Sequence, residues 1–394
     1  MTDTGPILRE VLNTISAKEK YENCDIKMKL INTDGANYLS HLYEVTISAP
    51  NKPDLELFGK VVTITEDKRA AFNISVLDTE YFFYTNLLNE YRLLEEKYKI
   101  PERNRLLTAK SYGFDNGYLR ETVVMENLSK KKFMCYNRLE SVTWEHAAEC
   151  IKQMAYLHVL SVVFGQDNPE KRDEIFKKIN FTFPKGQWRT PIQIFMSDKM
   201  AQNAIAVAKE EYRDRFTAFV EQNFKTENVE KFFKPIRLAV IAHGDFRPDN
   251  LMHRRLEDGT LEVAVLDFQM IQVCNPIMDL LYYIINGTDE KFRQEHYQQL
   301  IEHYYNEFCN SLRRFRLDPD IIYPDKNFEN DLKEMLPFGL LVAIVSLPFV
   351  TVDVQNASKI GSDLETHFLG VKTSDLFAER LNGVISDYIK MGIL

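Results

Sequence analysis

The chain has no surplus of positive charge. Its 58 Asp and Glu outnumber its 49 Lys and Arg, giving a net charge of −9 over 394 residues. Affinity for a nucleic-acid backbone comes from clustered Lys and Arg, so a nucleic acid is excluded as the main partner, while a local basic pocket for a nucleotide remains compatible. Cysteine is scarce: Cys24, Cys135, Cys150, Cys274 and Cys309 are odd in number, scattered, and never in a Cys-x-x-Cys pair. That argues against a disulfide framework and a structural zinc site, and a reducing, cytoplasmic location is expected. The first residues lack a basic region followed by an apolar run, so no secretory signal is expected there. Long hydrophobic runs are also missing. Residues 336–350 come nearest, but Pro337, Gly339 and Pro348 interrupt them. The run is shorter than the ~20 residues a spanning helix needs, so it reads as a buried core helix, with no membrane partner. There is no internal repeat or low-complexity tract.

Hydrophobic residues make up 45% of the chain and charged residues 27%, enough for one large domain or two lobes with a sizeable core. The patterning predicts a helix over residues 1–23, strands at 38–47 and 55–65, and a strong helix at 77–98. Two more strands are expected at 109–112 and 118–125. From Trp144 helices dominate, at 147–162 and 200–224 and again from Asp279 to the end. The expected fold class is α+β: a small β-sheet lobe with one key helix over 1–127, and a large helical lobe over 128–394 that carries a hairpin at 243–269.

That hairpin region is the most informative part of the chain. It reads His243-Gly244-Asp245-Phe246-Arg247-Pro248-Asp249-Asn250, then Val265-Leu266-Asp267-Phe268-Gln269. Residues 251–256 and 261–266 look like two short strands around Asp258-Gly259. An Asp-Gly pair favours a two-residue turn in which both residues reach positive φ. Centring the turn there sets Glu257 opposite Thr260 and Asn250 opposite Asp267. Directly opposed residues lie about 4.5–5.5 Å apart, so an amide oxygen and a carboxylate would meet, with Asp245 one short loop away. Two crowded carboxylates repel, and one titrates high unless a cation lies between them. Such oxygen ligands suit Mg²⁺ shared with the phosphates of ATP.

Phosphoryl transfer also needs a cation on the nucleotide, a group that fixes it, and a cover over the phosphates. Lys60, in Phe58-Gly59-Lys60-Val61-Val62, is the cation candidate; alone it reads equally as a strand-edge lysine facing water. Glu80 favours the first reading. In the series 77, 80, 84, 87, 91, 94 it lies on the apolar face of its helix, where a carboxylate suits an ion pair better than a helix-end charge. The cover would be the turn bearing Gly35, Asn37 and Ser40, whose backbone N–H groups and hydroxyl can cradle phosphates. Arg247 could reach the transferring phosphate. Asp279 reads as a helix N-cap or a loop brace, and His243 as a second brace.

His-Gly-Asp-x-x-x-x-Asn followed by Asp-Phe-Gln resembles the small-molecule branch of the protein-kinase-like fold, which includes aminoglycoside phosphotransferases and choline kinases. The chain looks most like the ecdysteroid kinase-like, or CHK kinase-like, family. Stretches around Gly35–Tyr43, Lys60, Glu80–Leu88, Val124–Leu128, Leu157-His158 and Asp245–Asp279 carry the resemblance. It implies a bilobal protein-kinase-like fold, Asp245 as catalytic base, and Asn250 and Asp267 as Mg²⁺ ligands. It also implies Lys60, paired with Glu80, on the α/β-phosphates and Glu126 to Leu128 as the adenine-binding connector. Arg247-Pro248 and Gln269 depart from related patterns without removing a required group. Eleven residues separate Asp267 from Asp279 and no Ala-Pro-Glu comes after them, so no protein substrate is expected. The expected function is an ATP-dependent kinase acting on a hydroxyl of a small alcohol, with ecdysteroids and other steroids among the candidate acceptors. A choline- or ethanolamine-type kinase and a non-catalytic nucleotide-binding pseudokinase are the alternatives.

Overall fold

The computed structural model describes residues 4–31, 40–64, 66, 69, 78–180, 191–352 and 374–394. Its amino-terminal part is an antiparallel sheet with the order β1-β2-β3-β5-β4. The strands are β1 Asp25–Leu30, β2 Ser40–Ser48, β3 Leu55–Val62, β4 Ser111–Asp115 and β5 Thr122–Glu126. Side chains alternate across a strand, so the sheet has two distinct faces. Tyr43, Val45, Ile47, Leu57, Val61 and Val124 pack on Leu8, Val11, Leu12 and Ile15 of helix Gly5–Lys18, forming a small separate core. Val62, Val123 and Met125 turn the other way and join the main core, which continues into the helical part. Alternation places Lys60 on that same inner side.

The helix expected at 77–98 is present from Asp78, but it is not uniform. Asp78–Phe82 is α-helical, Phe83–Leu87 forms a π turn, and Leu88–Lys97 returns to α. The π turn falls where Phe82, Phe83 and Tyr84 are all buried. A regular 3.6-residue period cannot keep three successive side chains on one face, and a wider turn relaxes that limit.

The helical part is built around Trp144–Asp167, whose start is capped by the Thr143 side chain accepting from the His146 amide. The single helix expected at 200–224 is two, Pro191–Val207 and Glu210–Asn223. The break is held by the Lys209 amide, which donates to Asn382 Oδ1 in helix Asp375–Lys390. Residues 336–350 lie in helix Asp325–Val345 and the short turn Leu347–Val350, and most are buried. Among the described residues no helix is long and apolar enough to cross a membrane.

The hairpin forms, with strands Leu251–Arg255 and Leu261–Val265, but its register differs from the expectation by one residue. Leu251 pairs with Val265 and Arg255 with Leu261. The Leu256 amide donates to Thr260 O at 2.9 Å, which closes a three-residue loop, Glu257-Asp258-Gly259. Only Gly259 in that loop has positive φ, +86°. Asp258 instead accepts from the Thr260 amide at 2.9 Å. A loop with one left-handed residue at its end is the three-residue hairpin, not the two-residue one. Asn250 therefore stands level with Leu266, whose amide donates to Asn250 O at 3.0 Å, and not with Asp267.

Candidate active site

Lys60 is where the two parts of the molecule meet. Its ammonium lies 3.0 Å from Glu80 Oε2, 2.6 Å from Asp267 Oδ1 and 3.4 Å from Gln269 Oε1. Lys60 is 7% exposed and Glu80 1%. Burial alone would lower the lysine pKa, but Asp267 and Glu80 outweigh it and hold the ammonium above its ordinary range. One ammonium cannot fully neutralise two carboxylates. For Asp267, burial is outweighed by the nearer lysine, and its carboxyl goes down. For Glu80, burial wins and its carboxyl goes up. Of the two carboxylates on Lys60, Glu80 is thus the raised one, because burial outweighs the more distant ammonium there.

Asp267 sits at φ +65°, a conformation that side-chain-bearing residues rarely adopt. The next two residues anchor it there. Phe268 stacks on Phe83 with ring centroids 3.5 Å apart and an interplanar angle of 10°. The Thr79 hydroxyl donates to Gln269 O. Both contacts come from the helix that carries Glu80, so one element fixes both partners of Lys60.

The loop before Asp245 is braced from helix Ile277–Gly287. Asp279 lies in the first turn of that helix and is not its N-cap, which is Pro276. Its carboxylate accepts from the His243 amide at 2.7 Å, the Gly244 amide at 2.9 Å and His158 Nε2 at 3.1 Å. His243 Nε2 contacts Leu266 O at 2.8 Å, and His243 Nδ1 faces the Asp245 amide at 3.3 Å, which ties the loop to the end of strand Leu261–Val265. Gly244 has φ +78°, and a Cβ there would run into the Met270 carbonyl oxygen. Only glycine meets both conditions.

Asp245 is gripped at both oxygens. Tyr282 donates to Oδ1 at 2.8 Å and Asn250 Nδ2 to Oδ2 at 2.8 Å. Arg247 Nε lies 3.1 and 3.2 Å from the two oxygens, and Arg247 Nη1 bonds Asp249 at 2.6 Å. Arg247 is thereby engaged between two carboxylates of its own loop. Burial pushes the Asp249 carboxyl up against the opposing pull of Arg247. The structure therefore brings Asp245, Asn250 and Arg247 together, and Asp267, Lys60 and Glu80 together. The direct Asn250–Asp267 pairing expected from the hairpin is replaced by these two clusters, joined through the His243–Leu266 and Leu266–Asn250 backbone contacts.

Gly35 and Asn37 lie outside the described residues. Ser40 begins β2 opposite Val62; it is fully buried, and its hydroxyl has no hydrogen-bond partner among the described residues. Such an orphan suits a ligand oxygen better than an apolar neighbour. Glu126 ends β5 and pairs with Lys131, and Leu128 is buried in the adjoining short helix Leu128–Lys131. Among the described residues no group of three or more His, Cys, Asp and Glu suits a metal. Tyr282 was not marked by any motif. The signal that could have found it is its position three residues after Asp279, on the same side of one helix.

A small antiparallel sheet, a helix-borne glutamate on a sheet lysine, and a looped pair of aspartates define a kinase-like fold. The chain belongs to the ecdysteroid kinase-like family, whose profile matches residues 34–317. This is a kinase-like family of small-molecule phosphotransferases. No curated protein matches the chain. Among solved structures it is similar to a Plasmodium vivax ethanolamine kinase, at 11% identity and a TM-score of 0.48, over 94% of this chain and 83% of that one. It is also similar to the GDP complex of aminoglycoside 2'-phosphotransferase-IIIa, at 10% identity and a TM-score of 0.41, over 96% and 97%.

Proposed function

We propose that the protein is an ATP-dependent kinase that transfers the γ-phosphoryl group to a hydroxyl of a small alcohol. The family name makes ecdysteroids and other steroids the first acceptors to try. The nucleotide would lie between a lobe spanning 1–127 and a lobe spanning 128–394. The observation that carries this reading is the Lys60 ion pair with both Glu80 and Asp267, across 20 and 207 residues of chain. A buried lysine with two carboxylates from different elements is costly as a mere structural feature, and it suits a cation that must be aimed at phosphates.

In this reading Lys60 contacts the α/β-phosphates and Glu80 holds it in place. Gly35, Asn37 and Ser40 cover the phosphates, and Glu126 to Leu128 take the adenine. Asn250 and Asp267 would hold Mg²⁺, which when bound shields the triphosphate charge. Asp245 orients the acceptor hydroxyl and receives its proton as the new O–P bond forms; the bond from the γ-phosphorus to the β-phosphate oxygen breaks and ADP leaves. Arg247, held beside Asp245, adds positive charge near the transferring group. The odd number and scattered spacing of the five cysteines favour a reducing, cytoplasmic setting.

The test is a mass-spectrometric screen of metabolite extracts incubated with ATP, Mg²⁺ and the protein. A new phosphorylated alcohol, formed with matching ADP, supports the reading. Nucleotide binding without any product would instead favour a non-catalytic nucleotide-binding protein. Product from choline or ethanolamine and none from steroids would move the acceptor to that class.

A further inference from the structure

Helix Ile277–Gly287 sends two side chains to the loop of Asp245. Asp279 holds the loop backbone. Tyr282, nearly one turn later, reaches the carboxylate, and its hydroxyl donates to Asp245 Oδ1 at 2.8 Å. Ser346, between helix Asp325–Val345 and the turn Leu347–Val350, donates to the Tyr282 oxygen at 3.3 Å. A phenol has a single hydrogen. With Ser346 supplying a hydrogen to the oxygen, that one is committed to Asp245. Burial, and next the Asp245 charge, push the Tyr282 hydroxyl well above its ordinary range, so it stays a donor. Ser346 lies outside the 34–317 stretch matched by the family profile.

We propose that Tyr282 is a positioning residue: its hydrogen bond sets the rotation of the Asp245 carboxylate toward the acceptor hydroxyl, and Ser346 sets the direction of the Tyr282 hydrogen. This rests on the phosphotransfer reading above. Asn250 and Arg247 restrain the carboxylate from the loop's own side. Tyr282 restrains it from the neighbouring helix, and without that bond the carboxylate can turn about its last torsion, which is broad for aspartate.

Tyr282→Phe keeps the ring and removes only the hydroxyl. It should lower kcat about tenfold, with KM for ATP within about twofold and the thermal midpoint lower by no more than a few degrees, as expected for one lost hydrogen bond to a charged group. Ser346→Ala should lower kcat by about two- to threefold and add nothing once Tyr282 is Phe. In an Asp245→Asn background, Tyr282→Phe should also add nothing. A kcat for Tyr282→Phe within twofold of the parent overturns the proposal, as does a tenfold loss that persists in the Asp245→Asn background. If the unmodified protein turns over no nucleotide, the phosphotransfer reading fails on its own. The thermal double-mutant cycle of Tyr282→Phe with Asp245→Ala, which leaves no acceptor for the hydroxyl, then still decides the contact: coupled shifts support it, and additive shifts overturn it.

Discussion

Lys60 Nζ lies 2.6 Å from Asp267 Oδ1, joining the third strand of the sheet to the end of the hairpin. Glu80 holds the same ammonium from the other side at 3.0 Å. The relationship makes Lys60 a structural cation, and in the proposed reading it also meets the nucleotide; the two roles can be separated.

Lys60→Ala would leave Glu80, 1% exposed, as a buried carboxylate without its cation. Breaking one side of a buried pair costs about 3–5 kcal/mol. Chemical denaturation should show a loss of that order. Lys60→Met combined with Glu80→Gln removes one ion pair but leaves the Asp267 carboxylate without its nearer cation, so it should recover only part of the stability while leaving turnover lost. A Lys60→Ala protein as stable as the parent would show that Lys60 is not paired in solution.

Asp279 gives a pH prediction. Burial would raise its carboxyl, but the hydrogen bond and charge of His158, with His243, hold it below its ordinary value. A group with a lowered folded pKa contributes stability above its unfolded value, near 3.9, and that contribution is lost as pH falls through the folded value. Asp279→Asn should therefore flatten the acid limb of stability below about pH 4. It should also cost about 1–3 kcal/mol at neutral pH, because a bond to the His243 or Gly244 amide is lost. An unchanged acid limb would rule out the brace.

His146 sets a second, higher window. It is buried beside Cys150 and His253, and burial, then His253, hold its pKa at about 3. The folded state carries a neutral imidazole, so stability is full above the unfolded value near 6.5 and declines as pH falls toward 3. His146→Phe should flatten the stability profile across that interval, an effect on the order of a few kcal/mol. Guanidinium titrations at several pH values read it directly, and a profile as steep as the parent's would show His146 is already charged or exposed.

Much of the frame was legible in the residues. Period-2 alternation marked β2 and β3, and the inward position of Glu80 came from helical spacing. The failures have local causes. Asp258-Gly259 suggested two residues at positive φ, yet the Asp258 side chain accepts from the Thr260 amide and Gly259 alone takes the left-handed conformation. That shifted the register by one residue, and with it went the expected Asn250–Asp267 pairing. The helix at 200–224 looked continuous because its break depends on Asn382, more than 170 residues away. Tyr282 belongs to no motif; only the packing of its helix on the loop brings it to Asp245.

In the proposed reaction Asp245 receives the proton of an acceptor hydroxyl, in a site that binds ATP independently of it. Measuring ATP affinity and turnover side by side for Asp245→Asn tests it most directly. Turnover should fall by about 10²–10⁴, with ATP affinity within about threefold of the parent. Turnover unchanged in that variant would contradict it.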